Sequence, residues 1–294
     1  MNRDSIKVKL VGGLGNQLFI WATAFVIQKK HSYELCFDAS DCEQWGCNLE
    51  SFGINIDFRP LRITGNLPGK SSNHVVVQTL RSLRGKSRKL RIGKNFWEKN
   101  SRFDPTVFTI KPGKVLCGYF QSYKYFLGFE EEIRKHLTQG FLGSDDYSKL
   151  LAQFDGNYWV AIHVRRQDYF LLSETFGLTT ERYFVDALKY IEKIFPYAKK
   201  VVFSDDITEA KKLLPECDLY IGKDELPSAV ETLILMSKSS AIIGSNSSFS
   251  WWAAFLSEAP DFCKIFPEPW FRDESIDTND LVPPSWYRIQ NPIR

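Results

Sequence analysis

The amino-acid sequence predicts an α/β protein of two domains, the second of them built on a parallel, doubly wound sheet. The first indication is an apolar run at residues 158–162, whose lack of alternation is typical of a parallel strand that helices cover on both faces. The second is the regular alternation of helix and strand patterns after residue 180. The third is a strand, a glycine-rich turn and a helix near the N-terminus. The 294 residues are enough for two domains of about 150 residues each.

The first domain begins with a predicted strand over residues 6–11. Gly12, Gly13 and Gly15 then make a tight turn, and residues 18–28 have the apolar spacing of a helix. A dinucleotide-binding fingerprint starts in the same way, but GGLGNQ lacks the third glycine of that motif. Asn16 in this turn is equally compatible with a helix cap.

The second domain follows residues 138–157, a segment with several glycines that we assign to an interdomain linker. Helix patterns over residues 181–195, 208–214, 228–238 and 249–258 alternate there with strand patterns over residues 200–206, 218–222 and 240–244. Ser228 and Glu231 have the spacing of a capping box. The predicted domains are residues 1–145 and 146–294, and the C-terminal tail is a candidate to pack back on the first domain.

A charged cluster directly follows the apolar run at residues 158–162. His163, the adjacent Arg165 and Arg166, and then Asp168 stand at the carboxyl end of this strand, where open α/β sheets bind ligands. Two neighbouring guanidinium groups need anionic partners, and a diphosphate matches their planar, bidentate donors. For one arginine alone, an ion pair with Asp168 or exposure to water is the more common arrangement. The whole cluster together indicates an anion-binding site.

Two further turns bring polar side chains to the same predicted edge. Asp205 and Asp206 end the strand at residues 200–206, where a carboxylate can accept hydrogen bonds from N1 and N2 of guanine. At least one of them is also expected to cap the next helix. A serine-rich turn precedes the last helix, and the free N–H groups of a helix start favour phosphate, with ordinary capping as the alternative. This turn comprises Ser245, Asn246, Ser247, Ser248 and Phe249.

Three stretches together resemble the alpha-1,2-fucosyltransferases, glycosyltransferase family 11. HVRRQDY at residues 163–169 is similar to the H-x-R-R-x-D motif of that family. VGGLGNQLFIWATAF and IGSNSSFSWWAAFL, near the two ends of the chain, also resemble it and stand in the same order. Residues 43–115 carry little of the resemblance. The resemblance implies a GT-B-like fold, in which two Rossmann-like domains face a cleft.

The resemblance also implies a reaction, the inverting transfer of L-fucose from GDP-β-L-fucose to the 2-hydroxyl of a terminal galactose. Its implied catalytic residues are Arg165, which stabilises the leaving β-phosphate, together with Asp168 and Asn16. The resemblance also implies a set of contacts to the donor and substrate. They are His163, Arg166, Gly13, Gly15, Gln17, Asp205, Asp206, Ser245, Asn246, Ser247, Ser248 and Phe249. Guanine recognition is assigned to Asp206 ahead of Asp205. The general base stays open between Asn16, Asp38 and Glu268.

No metal ion or other cofactor is expected. Metal-dependent sugar transferases usually present a D-x-D triplet, which this sequence lacks, and positive side chains can take the place of a metal at a diphosphate. The sequence leaves three alternative functions open. They are another GDP-sugar transferase, a nicotinamide- or other nucleotide-dependent enzyme built on the glycine turn, and a non-catalytic module that binds a glycan or an anion.

The composition indicates a cytoplasmic protein without a nucleic-acid partner. A net charge of +3 is too small to imply nucleic acid. The six cysteines form no C-x-x-C pair and have no histidine at zinc-ligand spacing, which predicts free thiols in a reducing compartment. The sequence shows no signal peptide and no apolar run near the roughly 20 residues of a membrane span.

A basic segment in the first domain suggests that the protein also contacts a membrane. Residues 58–97 contain no acidic residue, and seven basic residues lie between Arg81 and Lys94. Such a run is most often a solvated surface. The acceptor that the resemblance implies is a galactose-terminated oligosaccharide or a lipid-linked glycan, as in O-antigen synthesis. The segment is therefore a candidate for peripheral contact with anionic lipid at the inner membrane face.

Overall fold

The computed structural model describes residues 4–42, 46–56, 95–167, 169 and 173–292. The strands are β1 (Ser5–Val11), β2 (Glu34–Asp41), β3 (Asn95–Trp97), β4 (Val115–Cys117), β5 (Trp159–Val164), β6 (Lys199–Ser204), β7 (Leu219–Ile221), β8 (Ala241–Ile243), β9 (Lys264–Glu268) and β10 (Tyr287–Gln290). The helices are α1 (Leu14–His31), α2 (Glu130–Thr138), α3 (Asp145–Ala152), α4 (Ser173–Phe176), α5 (Glu181–Glu192), α6 (Ile207–Leu213), α7 (Ala229–Ser237) and α8 (Ser248–Leu256). Two compact units divide the chain, the first with residues 1–133 and 279–281 and the second with residues 134–278 and 282–294.

The first unit contains a four-stranded parallel sheet, sheet A, in the order β2-β1-β4-β3. Ile6, Val8 and Leu10 of β1 are fully buried, as expected for the central part of a covered sheet. Helix α1 is buried along most of its length because apolar side chains surround it rather than forming one stripe. All four carboxyl ends lie on one edge of the sheet, so the turns that follow the strands share that edge.

The second unit contains a six-stranded parallel sheet, sheet B, in the order β10-β9-β8-β5-β6-β7. Every residue of β5 is buried, which agrees with its unbroken apolar sequence. Val160 and Ile162 of β5 belong to a core that includes Tyr183 and Phe184 of α5. The predicted α/β class, with parallel sheets and crossover helices in both halves of the chain, is confirmed.

Helix α1 begins earlier than the apolar spacing predicts, at Leu14 instead of residue 18. Gly12 has φ +73° and turns the chain, and Gly13 is the extended residue before the helix. The backbone N–H of Asn16 already donates to the carbonyl of Gly13 at 3.0 Å. Asn16 therefore lies in the first helical turn, and the alternative that it caps the helix is wrong.

The segment assigned to a linker, residues 138–157, contains helix α3 and belongs to the second unit. Ser144 caps this helix with its hydroxyl, and its own N–H donates to Oε1 of Glu231 at 2.6 Å. Ser228 accepts from the N–H of Glu231, which is one half of the predicted capping box. The linker assignment is wrong because glycines and acidic residues there begin a short helix rather than a free connection.

Strands β9 and β10 at the edge of sheet B were not predicted. Pro267 lies inside β9, and a proline usually argues against a strand that must pair on both sides. All six cysteines have free thiols. None of the helices in the described part of the chain is both long and apolar enough to cross a membrane. The basic residues from Arg81 to Lys94 lie outside the described residues, as does Asp168.

Candidate active site

Arg165 stands at the carboxyl end of β5 and forms an ion pair with the end of β6. Its Nη1 lies 3.0 Å from Oδ2 of Asp205, and its Cζ lies 5.8 Å from the centre of the Tyr169 ring. The Arg165 side chain is 24 % exposed, whereas the Asp205 side chain is 8 % exposed. These two strand ends were predicted to lie at one edge of the sheet, and they meet there. A positive group is thus held in place and remains accessible to solvent.

Arg166 is turned into the protein and supports the same turn from behind. Its backbone N–H donates to Oδ1 of Asp205 at 2.9 Å, and its Nη2 donates to the carbonyl of Thr179 at 2.9 Å. Its Nη1 donates to the carbonyl of Arg165 at 3.1 Å. Burial lowers the pKa of Arg166, and the nearby carboxylate of Asp205 acts in the opposite direction. Asp205 therefore fixes the side chain of one arginine and the backbone of the other.

His163 is a buried, neutral side chain that joins two strand ends. Its Nδ1 lies 2.8 Å from Oγ of Ser245, which follows β8, and its ring centre lies 5.5 Å from that of Phe249. Burial, and secondarily the charge of Arg165, lowers the pKa of His163 to about 3. The imidazole is therefore uncharged near neutral pH, and its hydrogen bond positions the serine-rich turn.

The serine-rich turn divides into a buried half and an accessible half. The Asn246 side chain is buried and donates to the carbonyls of Phe176 at 2.9 Å and Trp270 at 3.0 Å. Ser247 is buried and caps α8 by accepting from the N–H of Phe249. Ser248 and Phe249 are half-buried at the first turn of α8. The start of this helix, where N–H groups and the positive dipole end favour anions, thus has accessible side chains.

Asp206 has the capping role that the sequence offered as an alternative. It precedes α6, and its Oδ1 accepts from the N–H of Glu209 at 3.0 Å. The side chain is half-buried. The neighbouring Asp205 binds the side chain of Arg165 and the backbone N–H of Arg166. Each of the two carboxylates therefore has a protein partner.

At the carboxyl edge of sheet A, two consecutive amide side chains of α1 bind different loops. Gln17 is fully buried and donates to the carbonyls of Gly12 and Gly46, both at 2.8 Å. The half-buried Asn16 accepts at Oδ1 from Nε2 of Gln121 at 2.7 Å. Gly12 has φ +73°, a conformation that favours glycine, and a Cβ there would stand 2.5 Å from Nδ2 of Asn16. Gly15 is buried inside α1, and Gly13 remains at the turn.

The other candidates for a general base differ in exposure. Asp38 is buried, accepts from the N–H of Ser40 at 3.0 Å and lies 3.8 Å from Nζ of Lys9. Glu268 ends β9 and is exposed. The described part of the chain contains no group of three or more His, Cys, Asp or Glu side chains placed to hold a metal ion.

Sequence reasoning missed Glu98, a buried acid at the carboxyl end of β3. Its two carboxylate oxygens accept from the N–H groups of Tyr119 at 2.7 Å and Phe120 at 3.0 Å. Burial raises the pKa of Glu98 to about 7, and these two hydrogen bonds offset part of that increase. No sequence signal could have identified it, because the contact depends on the pairing of β3 with β4.

Comparison with known proteins agrees with the sequence resemblance. The sequence profile of glycosyl transferase family 11 matches residues 102–290. The chain is 27% identical to an alpha-1,2-colitosyltransferase of Escherichia coli, over 97% of this chain and 99% of that protein. It is 26% identical to the O-antigen biosynthesis glycosyltransferase WbnK of Escherichia coli, over 95% of this chain and 99% of that protein.

The fold has a counterpart among solved structures. A glycosyl transferase family 9 protein from Veillonella parvula superimposes with a TM-score of 0.51, at 10% identity, over 99% of this chain and 87% of that chain. At this identity the similarity concerns the fold alone. It agrees with the GT-B-like fold class that the sequence predicts.

Proposed function

The chain belongs to glycosyl transferase family 11 and is a glycosyltransferase, and from this premise we propose that it is an inverting, metal-independent alpha-1,2-fucosyltransferase. It transfers L-fucose from GDP-β-L-fucose to the 2-hydroxyl of a terminal galactose on a glycan. The observation that carries the donor side is Arg165, which Asp205 holds at the carboxyl edge of sheet B in a partly exposed position.

In this proposal Arg165 binds the diphosphate of the donor. A guanidinium has more N–H donors than its contact with one carboxylate uses, and their planar arrangement matches two phosphate oxygens. When the bond between fucose C1 and the β-phosphate oxygen breaks, the electron pair stays on that oxygen. Arg165 stabilises this developing charge, and the first turn of α8 adds the positive end of a helix dipole.

Activation of the acceptor hydroxyl needs less help from the protein than stabilisation of the leaving diphosphate. The sugar acquires oxocarbenium character as GDP departs, so the galactose hydroxyl attacks a centre that is already electron-poor. The bond between the galactose oxygen and fucose C1 forms as the bond to the β-phosphate oxygen breaks, and the hydroxyl proton then passes to water. His163 is a poor base because its pKa is lowered to about 3 and its Nδ1 is bonded to Ser245. We therefore assign most of the rate enhancement to stabilisation of the leaving group, with Asp168 supporting Arg165.

A second donor is favoured by one relative, the alpha-1,2-colitosyltransferase. Colitose is L-fucose without its 3-hydroxyl, so GDP-colitose presents the same nucleotide and the same stereochemistry at the reacting carbon. The contacts of Arg165 and α8 proposed above do not distinguish the two sugars. GDP-colitose is therefore the alternative substrate of the same site.

The test is GDP release from GDP-fucose, GDP-colitose, GDP-mannose and UDP-galactose, each with and without N-acetyllactosamine. We expect acceptor-dependent GDP release with GDP-fucose, and NMR of the product should show an α-linkage to the 2-hydroxyl of galactose. Preferential use of GDP-colitose would change the proposed donor from GDP-fucose to GDP-colitose, and the proposed type of reaction would stand. A β-linked product, or release only from UDP-galactose, would contradict the proposal.

A role in cell-surface polysaccharide synthesis is supported by the name of the relative WbnK. The corresponding proposal for the segment from Arg81 to Lys94 is contact with anionic lipid at the cytoplasmic face, where lipid-linked glycans are assembled. The protein should sediment with anionic vesicles at low salt, and less at physiological salt. Serine at Arg84, Lys86, Arg88 and Lys89 should abolish sedimentation and spare turnover of a soluble galactoside. Sedimentation that is absent in the wild type or unchanged in the variant would exclude this contact.

A further inference from the structure

Glu98 forms a clamp on the turn that follows β4. Both of its oxygens accept backbone N–H groups, from Tyr119 and from Phe120, and its own N–H donates to the carbonyl of Cys117 at 2.9 Å. The side chain is 7 % exposed. A Cβ at Gly118 would collide with the Cβ of Glu98, so the glycine permits this close approach. A carboxylate is thereby used to fix two consecutive peptide groups of one turn.

The clamped turn holds a backbone conformation that is unusual for its residue. Phe120 has φ +52°, a left-handed conformation that costs free energy for a residue with a Cβ. Its ring is fully buried and packs edge-on against Tyr125 at 5.5 Å between centres. The clamp and the buried ring together maintain this conformation. Such conformations occur often at functional sites.

The next side chain is Gln121, which reaches across to the glycine-rich turn. Its Nε2 donates to Oδ1 of Asn16 at 2.7 Å, although the two residues are far apart in sequence. Both side chains are half-buried. Among the residues that the structure describes, none donates a hydrogen bond to Oε1 of Gln121. The two amides therefore form a polar, accessible pair at the carboxyl edge of sheet A.

The charged side chains of Lys9, Asp38 and Asp41 at this edge pair with one another. Lys9, at the same end of β1, lies 3.0 Å from a carboxylate oxygen of Asp41 and is buried. Glu98 is covered by its own turn. The amides of this pair are uncharged and carry both donors and acceptors, which suit the hydroxyl groups of a neutral sugar. Asp41 at the same edge is 44 % exposed, and its negative charge disfavours a phosphate there.

We infer that Gln121 and Asn16 bind hydroxyl groups of the acceptor saccharide and that Glu98 is the positioning residue that directs Gln121 toward it. This inference rests on the proposed function, since it names the acceptor side of that reaction. Glu98 touches no substrate. It acts through the turn at residues 118–120, and loss of the clamp should weaken acceptor binding without changing how the donor binds.

The experiment uses two variants and one matched control. Glu98→Gln keeps the size of the side chain but sets an NH₂ group against a backbone N–H. Gln121→Glu keeps the shape but removes the donor to Asn16. Glu130→Gln is the control, because Glu130 is also a glutamate of the first unit that accepts a backbone N–H, from Gly128 at 2.7 Å, but this hydrogen bond is exposed to solvent. Steady-state kinetics at about pH 8 should show the acceptor KM about tenfold higher in both test variants, the donor KM within about twofold of wild type, and no change in the control.

Two outcomes would overturn the inference while the proposed function stands. One is an unchanged acceptor KM in Gln121→Glu, and the other is an equal rise of donor and acceptor KM. If Glu98→Gln does not fold, Gln121→Glu decides the question, because its side chain is half-exposed. In Glu98→Gln, hydrogen exchange at the amides of Tyr119 and Phe120 should also accelerate, and this should not occur in Gln121→Glu.

A failure of the proposed function is recognised separately, as absence of nucleotide release from every sugar nucleotide by the wild type. Saturation-transfer NMR with N-acetyllactosamine then tests the amide pair without turnover. A signal with the wild type that is lost in Gln121→Glu supports the inference. No signal with the wild type, or an equal signal with the variant, overturns it.

Discussion

The carboxyl edges of the two parallel sheets are built with different chemistry. At sheet B, a charged pair of Arg165 and Asp205 stands in front of a neutral, buried His163. At sheet A, the neutral amides of Asn16 and Gln121 are accessible, as is the carboxylate of Asp41, which pairs with Lys9, and the acid Glu98 is buried. One edge thus presents positive charge suited to an anion, and the other presents groups suited to hydroxyls. In the function proposed above, the first edge binds the donor and the second binds the acceptor.

The buried side chains of His163 and Glu98 have similar roles in the two units. His163 ties the end of β5 to the turn after β8, and Glu98 ties the end of β3 to the turn after β4. Burial disfavours the charged form of each, so the pKa of the imidazole falls and that of the carboxyl rises. In each unit, a group that is costly to bury is used to position the strand ends that carry the accessible side chains.

The largest expected effect comes from Arg165. Arg165→Lys keeps the charge but loses the planar fork, and kcat should fall by about 100-fold or more, the size seen when one strong donor to a developing oxyanion is lost. The measurement is steady-state GDP release. Arg182→Lys is the matched control, because Arg182 also pairs with an aspartate, Asp186 at 2.6 Å, but on an exposed face of α5. Turnover of Arg165→Lys within a few-fold of the control would remove the diphosphate role.

The next effect concerns stability and separates the two buried groups by pH. The folded pKa of Glu98, about 7, lies above its ordinary value of 4.5, so its contribution is fully present below about pH 4.5 and is lost as pH rises through 7. Wild type should therefore lose up to about 3 kcal/mol relative to Glu98→Gln between these pH values. His163 has a lowered pKa and acts in the opposite sense, with stability lost as pH falls from 6.5 toward 3. Because both proteins contain His163, its effect cancels in their difference.

Denaturant unfolding of both proteins from pH 4.5 to 8 measures this difference. The baseline offset between them reflects the loss of the clamp, and the pH slope reflects titration of Glu98. Parallel curves for the two proteins would mean that Glu98 does not titrate in this range.

A smaller effect should separate the two aspartates after β6. Asp206→Asn keeps the helix cap, because asparagine caps a helix as well as aspartate does. Any loss of nucleotide affinity in this variant therefore reflects a lost contact with the nucleotide. If Asp206 reads guanine, the affinity for GDP should fall about tenfold while those for ADP and UDP stay unchanged. Asp205→Asn should weaken all three alike, because Asp205 holds Arg165. Competition binding with the three nucleotides distinguishes these patterns, and equal losses in Asp206→Asn would make its role structural.

The smallest expected effect is that of chelation. Because positive side chains are assigned to the diphosphate, EDTA should change turnover by less than about twofold. Loss of turnover in EDTA with recovery on adding Mg²⁺ or Mn²⁺ would contradict the metal-independent mechanism. The same assay with Arg165→Lys should show no gain from added metal.

The sequence predicted those features that follow from local periodicity and from the geometry of parallel sheets. The apolar run at β5 and the alternation after it sufficed to predict the α/β class. The rule that ligands bind at the carboxyl ends of strands predicted that Arg165 and Asp205 lie at the same edge of the sheet. Glu98 and Gln121 could not be found in this way. Their partners, Phe120 and Asn16, are reached only through strand pairing in sheet A and a contact between distant turns. The start of α1 was misplaced because Gly15, Asn16 and Gln17 in its first turn interrupt the apolar spacing that signals a helix.

The division between the two edges is tested most directly by calorimetric titration of GDP into wild type, Arg165→Lys and Gln121→Glu. GDP carries the diphosphate and the base but no sugar, so it should report on the edge of sheet B alone. We expect Arg165→Lys to weaken GDP binding at least about tenfold and Gln121→Glu to stay within about twofold of wild type. Equal weakening in both variants, or a loss confined to Gln121→Glu, would contradict the account.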